Sequence, residues 1–293
     1  MHVVIIGAGR IGQAFKHLCE ARAESVSLFD ADTTKVPDQR PLAEIIPPAD
    51  VIFLCIQSFA IREVLAELKP LLKPTALVVS LAKGIERNTF KTLDIVIPEC
   101  LAPEQPWGLI IGPMLAEEIL QNQGSAGVFA GSNPEECTIL SSLIDPHNLS
   151  LECSTDIHGV ALAGVLKNIY ALSLGIADGI GWGANRKGWL ITRAIREMRD
   201  IIEILGGDPN TADGPAGLGD LIATGSSPHS RNRATGEQIV TTGQMNPLSE
   251  GYISLSSLKH LLGERTSEFK ILSTLIEIIE HKQDATTVYK QLV

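Results

Sequence analysis

Residues 159–178 are apolar or small almost throughout, yet they carry one ammonium group, Lys167, with Asn168 beside it. Read as a helix, such a run is buried on most sides. Its helical neighbours Ala163, Gly164, Ala171 and Leu174 cannot pair a charge. An unpaired buried ammonium is too costly to be incidental, so Lys167 must meet a partner, a cavity or a ligand. Desolvation also moves a lysine pKa down toward neutrality, which suits a proton donor working near pH 7. The plain alternative is a lysine that snorkels, its stem buried and its charge in water. Further along, Asp220 and Thr224 are four residues apart and share a helix face. Arg231 offers a planar fork of donors suited to a phosphate, with Asn232 as a neutral companion. Lys83 follows a strand pattern, at the end where open α/β sheets take ligands. Alone, Asp220 reads as a cap and Arg231 or Lys83 as surface charge. Together with Lys167 and Asn168 they describe an anion site with a proton donor.

A second set of residues points to a nucleotide. The apolar run 3–6 leads into Gly7-Ala8-Gly9-Arg10-Ile11-Gly12 and then an amphipathic segment over 13–23. Strand, glycine turn and helix in that order form the dinucleotide fingerprint. Gly7 permits the tight turn, Gly9 lets backbone amides approach the pyrophosphate, and Gly12 lets helix pack on strand. The helix N-terminus adds unpaired N–H groups for the phosphates. A strand over 25–29 ends at Asp30, 18 residues after Gly12. That is close to the roughly 20 expected of the acid that holds an adenosine ribose. Asp30 would accept from both ribose hydroxyls and repel a 2′-phosphate, favouring NAD over NADP; the alternative is a loop-capping aspartate. Lys35 and Arg40 follow closely enough to soften that discrimination.

The elements that must position these groups alternate in the first half. Strand patterns cover 51–56, 76–81, 107–111, 125–130 and 149–153, with helices over 60–68, 88–101 and 134–144. Repeated βα units of this size predict a Rossmann-type, doubly wound parallel sheet with helices on both faces. From Thr155 the strand signal vanishes. Helices are predicted over 159–178 and 187–205, the second stopped by Gly206-Gly207, with Asp208-Pro209 opening the next. The pattern gives a nucleotide-binding domain over 1–153 and an all-helical substrate domain over 154–293, with catalysis in the cleft between them.

Composition narrows the class. The chain of 293 residues is long enough for about two domains at roughly 150 residues each. With 44% hydrophobic and 20% charged residues it reads as globular, with a real core. A net charge of −10 and no basic block to follow a phosphate backbone argue against nucleic-acid binding. The five cysteines are scattered without a CxxC pair and read as reduced thiols. Strand 3–6 leaves no room for a signal peptide. Lys167, Asn168 and glycines interrupt the longest apolar run, so no membrane insertion is expected. The expectation is a soluble, cytoplasmic protein.

With Leu166-Lys167-Asn168, Asp178-Gly179, Ile191-Thr192-Arg193, Gly217-Leu218-Gly219-Asp220-Leu221 and Ser230-Arg231-Asn232-Arg233, the chain resembles the bacterial NAD(P)-dependent glycerol-3-phosphate dehydrogenases. Ala82-Lys83-Gly84-Ile85-Glu86, Gly112-Pro113 with Ala116-Glu117-Glu118, and Glu250-Gly251 fit the same pattern. The resemblance implies an α/β Rossmann domain followed by an all-α domain of the 6-phosphogluconate-dehydrogenase type. It implies hydride transfer between NAD, or alternatively NADP, and dihydroxyacetone phosphate, in glycerophospholipid synthesis, by a homodimer. Lys167 would be the general acid/base and Lys83 a second cation on the substrate. Asn168, Asp220 and Thr224 would line the catalytic pocket. Gly112, Ser230, Arg231 and Asn232 would hold the phosphorylated substrate. The coenzyme would lie on Gly7, Gly9, Arg10, Ile11, Gly12, Asp30, Lys83, Ala116, Arg231 and Glu250. The chain departs from the family in Met114, where a hydroxyl or amide residue is usual after Gly-Pro. It also departs in Gln57, Ile11 and Phe269-Lys270-Ile271. Met114 keeps open a sister dehydrogenase acting on another hydroxy acid or phosphorylated ketone. A non-catalytic NAD(H) sensor is the remoter alternative.

Overall fold

Every residue of β3 (Val51–Leu54) and of β4 (Leu77–Ser80) is buried. Strands buried at each position have both faces covered, which is the setting of a parallel sheet between helices. The structure, a computed structural model, describes residues 1–131 and 133–292. The chain forms two compact units, Met1–Lys83 with Lys91–Ala161, and Gly84–Phe90 with Leu162–Val293.

Around β3 and β4 the first unit adds β1 (His2–Ile6), α1 (Arg10–Glu20), β2 (Ser25–Phe29), α2 (Leu42–Ile45) and α3 (Ile61–Leu68). Beyond β4 come α4 (Leu93–Cys100), β5 (Trp107–Ile111), α5 (Ala116–Leu120), β6 (Ala126–Gly131), α6 (Pro134–Leu143) and β7 (Ser150–Ser154). The strands lie in the order β2-β1-β3-β4-β5-β6-β7. β1 pairs parallel with β2 and β3, Ile6 lying between Phe29 and Leu54. The strand order therefore reverses at β1, and the carboxyl ends of β1 and β3 form the kind of crevice where such sheets take ligands. One face of the sheet is closed by Phe15 and Leu18 of α1 and by Leu140 and Leu143 of α6.

Several sequence expectations change here. β6 pairs antiparallel with β5, Ile110 opposite Phe129, and β7 runs parallel to β6. The sheet is mostly parallel rather than wholly so, because an apolar run specifies a strand without giving its direction. The helix predicted over 88–101 begins only at Leu93. Phe90 has φ of 58°, a left-handed backbone from which an α-helix does not continue. Cys137 and Cys153 form a disulfide with Cα atoms 6.1 Å apart, whereas all five thiols were expected to be reduced. α6 packs on β6 and β7, which brings the pair together across the intervening loop. Cys19, Cys55 and Cys100 lie outside the disulfide.

The boundary also differs from a single cut after Cys153. The first turn of α7 (Ile157–Gly179) belongs with the first unit, where His158 Nδ1 lies 2.8 Å from Asp94 Oδ2. Gly84–Phe90 belongs with the second, where the Phe90 ring stacks on His260 with centroids 3.8 Å apart.

The second unit is helical. It contains the rest of α7, then α8 (Ala184–Ile204), α9 (Asp220–Ser226), α10 (Arg231–Thr241), α11 (Glu250–Leu262), α12 (Lys270–Ile279) and α13 (Ala285–Lys290). α7 is long and apolar enough to cross a membrane by length and composition, and its most apolar window is 100% buried in the protein. Glycines of the neighbouring helices let their backbones approach it. A Cβ on Gly236 of α10 would strike the Leu172 carbonyl oxygen, and one on Gly251 of α11 would strike that of Asn168.

Candidate active site

Gly7 has φ of 102°, and a side chain there would strike the carbonyl of Cys55. Its N–H donates to the Phe29 carbonyl at 2.7 Å. A Cβ on Gly12 would strike the Gly7 carbonyl oxygen, so α1 rests directly on the turn. A Cβ on Gly9, by contrast, would meet nothing within 4 Å. Gly7 and Gly12 are thus required by backbone packing, while Gly9 opens onto free space at the start of α1. No side chain caps α1, whose first residues are Arg10 and Ile11. First-turn amides lack intrahelical partners, so the turn fits a pyrophosphate. The Arg10 guanidinium is paired with Glu117 of α5.

Asp30 stands one residue beyond β2 and is 9% exposed. Its Oδ2 accepts the Ala8 N–H at 2.7 Å and its Oδ1 accepts the Asp32 N–H at 2.9 Å. Lys35 Nζ lies 3.1 and 3.2 Å from the two oxygens. The Gln39 amide grips the Asp30 backbone, accepting from its N–H at 2.9 Å and donating to its carbonyl at 3.0 Å. Burial pushes the Asp30 carboxyl up, but the N–H groups of Asp32 and Ala8 with the Lys35 ammonium outweigh it. The group sits below the ordinary aspartate value. Arg40 pairs instead with Glu44 at 3.2 Å.

Lys83 lies beyond the end of β4 and donates to the Gly112 carbonyl at 3.3 Å. Gly112 follows β5, where a Cβ would strike the Ala126 carbonyl oxygen. Met114 packs against the first unit's apolar core. Ala116 opens α5 and is buried.

In the second unit the side chains of Lys167, Asp220 and Thr224 come together. Lys167 of α7 is 5% exposed, and its Nζ donates to Asp220 Oδ1 at 3.0 Å and to Thr224 Oγ1 at 2.9 Å. Thr224 Oγ1 in turn donates to Asp220 Oδ1 at 3.0 Å, the helical spacing of four bringing both to one face of α9. A π-helical turn, Pro215–Gly219, leads into that face. The lysine therefore does not snorkel. Beside it, Asn168 Oδ1 accepts from Asn232 Nδ2 at 2.7 Å. Asn232 Oδ1 accepts from Ser249 Oγ at 2.7 Å and from the Gly251 N–H at 3.1 Å. This chain commits the carbonyl end of Asn168 and leaves its amino end to donate. Most of Asn232, expected on a phosphate, serves this scaffold. Ser230 caps α10, its Oγ accepting the Arg233 N–H at 3.2 Å, and Arg231 is exposed in the first turn. Glu250 opens α11.

The C-terminal model of NAD-dependent glycerol-3-phosphate dehydrogenase matches residues 156–290, and the N-terminal model matches residues 33–137. A protein of Chlorobium limicola named glycerol-3-phosphate dehydrogenase (NAD(P)+) is 32% identical, over 95% of this chain and 93% of its own length. The chain belongs to the NAD-dependent glycerol-3-phosphate dehydrogenase family. A Mycobacterium avium protein of the same name is 34% identical over 84% of this chain and 74% of its own. A solved glycerol-3-phosphate dehydrogenase from Coxiella burnetii superimposes with a TM-score of 0.89 at 25% identity, covering 99% of this chain and 98% of that one.

Within this dehydrogenase, supporting residues emerge that the sequence did not single out. Ser249 both orients Asn232 and caps α11, accepting from the Tyr252 N–H at 3.5 Å. Its signal was a serine just before a helical run. Gln39, which braces Asp30, had no signal, since an amide in a loop carries no pattern.

Proposed function

We propose that this chain catalyses reversible reduction of dihydroxyacetone phosphate to sn-glycerol 3-phosphate, with Lys167 as the proton donor. One observation carries the assignment of roles: an ammonium 5% exposed and held by Asp220 and Thr224, in a dehydrogenase that also has an open glycine turn. When bound, the reduced coenzyme supplies a hydride equivalent for the C2 carbonyl carbon. The Gly7–Gly12 turn and Asp30 hold it by its phosphates and ribose, with Ala116 and Glu250 as further contacts. Lys167 Nζ gives a proton to the C2 oxygen as negative charge builds there, and recovers it in the reverse direction. Asp220 and Thr224 fix the position of that proton. The Asn168 amino group, preorganised through Asn232, stabilises the growing charge, and Lys83 adds a second cation. Ser230, Arg231 and the remaining Asn232 N–H hold the phosphate, so binding energy away from C2 orients the carbonyl. The family resemblance supports a role in glycerophospholipid synthesis as a cytoplasmic homodimer.

The test is Lys167→Ala assayed with dihydroxyacetone phosphate and NADH. Removing a general acid costs typically about 10²–10⁴-fold, so kcat should fall by at least that scale. The Kd for NADH, measured by fluorescence titration, should stay within about twofold, since Lys167 is not among the groups assigned to the coenzyme. Near-normal turnover would sink the assignment.

A further inference from the structure

The geometry points to Lys35 as the residue that sets coenzyme choice: it occupies the place on Asp30 where an adenosine ribose would bind, and it is the cation that meets a 2′-phosphate. This rests on the coenzyme reading above and deepens it. A carboxylate offers about four lone-pair positions on its two oxygens. On Asp30 one is used by the Ala8 N–H and one by the Asp32 N–H, at 2.7 and 2.9 Å. Lys35 bridges both oxygens, at 3.1 and 3.2 Å, and takes the remaining two. The two N–H contacts belong to the backbone of the turn and of the loop after β2, so they stay. The Lys35 side chain is 44% exposed on a flexible stem, so it can leave.

Two consequences of opposite sign follow. Ribose hydroxyls reach the Asp30 oxygens only when Lys35 lets go, which makes the lysine a competitor of NADH. Asp32 Oδ2, 4.0 Å from Nζ, gives the displaced ammonium a second resting place. A 2′-phosphate instead brings negative charge toward Asp30, and Lys35 then pairs with the incoming group and offsets the repulsion. Arg40 does not compete for this role, being held by Glu44 at 3.2 Å.

The experiment measures Kd for NADH and for NADPH by calorimetry, on the full chain and its Lys35→Met and Lys35→Arg variants, with no substrate present. Lys35→Met should bind NADPH at least about tenfold more weakly, the scale of a lost charge-assisted contact. It should bind NADH unchanged or up to about fivefold more tightly, because the competitor is gone. Lys35→Arg, which keeps the charge, should stay within about threefold of the parent ratio. A misfolded variant would weaken both coenzymes together, so Lys35→Arg and a thermal midpoint without coenzyme accompany the comparison. A Lys35→Met protein that keeps the parent ratio while binding NADH normally overturns this proposal alone. Absence of NADH binding by the parent chain overturns the coenzyme reading as well.

Discussion

Lys167 and Asp220 show how much a single buried charge dictates. Their side chains are 7% and 4% exposed, and removing one partner of such a pair leaves the other uncompensated in a poor solvent for charge. The demand for a partner was legible in α7, because none of the lysine's helical neighbours could serve. The partner itself was visible only as Asp220 and Thr224 at helical spacing, since no local pattern brings α9 to α7. Glu197 is the opposite case, a carboxylate the sequence did not single out. It accepts the N–H groups of Ile271 and Leu272 at 2.8 and 3.3 Å, at the start of α12, and the hydroxyl of buried Tyr170 at 2.9 Å. Burial pushes its carboxyl above the ordinary value of 4.5, and these donors recover only part of the shift. A raised acid pKa means that the fold prefers the neutral form. Ionisation of Glu197 therefore costs stability as pH rises from its unfolded value to its folded one, and nothing further above that. Glu197→Gln lacks this dependence, although it misplaces one donor. Its penalty relative to the parent should be largest near pH ~4 and shrink as pH rises, in a urea series from about pH 4 to 7. A penalty that grows with pH would show that the carboxyl is lowered instead.

At the scale of elements, the central strands β1 and β3 were readable because they are apolar on both faces, and strand directions were not. Residues 88–90 read as the start of a helix by composition, yet Phe90 takes a left-handed backbone and its ring stacks on His260. Cysteine spacing was silent for the same reason as strand direction: pairing is a property of neighbours in space. The bridge between Cys137 of α6 and Cys153 of β7 closes a sequence separation of 16, and a loop of that size restricts the unfolded chain by about 3 kcal/mol. Thiols in a reducing cytosol stay reduced, so the bridge forms only where an oxidant is supplied. Protein purified without reductant and then denatured should titrate with three thiols, those of Cys19, Cys55 and Cys100, which lie outside the disulfide. Reduction should lower the thermal midpoint, and Cys153→Ser should remove the difference between oxidised and reduced samples. Five titratable thiols in the unreduced chain would restore the fully reduced expectation.

For the molecule as a whole, the shift from strand alternation to helical period announced two units, and the chain's crossings after Lys83, Phe90 and Ala161 were hidden. Neither side of these crossings differs in composition from ordinary loop or helix, so only packing reveals them. The division has a thermodynamic consequence. The residues that fit a dinucleotide, Gly7, Gly9, Gly12 and Asp30, all belong to the first unit, and Lys167, Asp220 and Thr224 all belong to the second. Units with cores of their own open separately, and a ligand stabilises only the state that binds it. NADH at about a hundred times its Kd adds about 2.7 kcal/mol to the unit that holds it. Native-state hydrogen exchange should then show the slowest amides of β1, β3 and β4 slowed by about a hundredfold, the same free energy expressed as a ratio. The core amides of α7 beyond Leu162, and those of α12, should be slowed less, since the second unit brings to the coenzyme only Arg231 and Glu250 of the residues expected on it. Equal slowing in both units would mean that the chain opens only as one, and the assignment of coenzyme to the first unit would then need direct mapping.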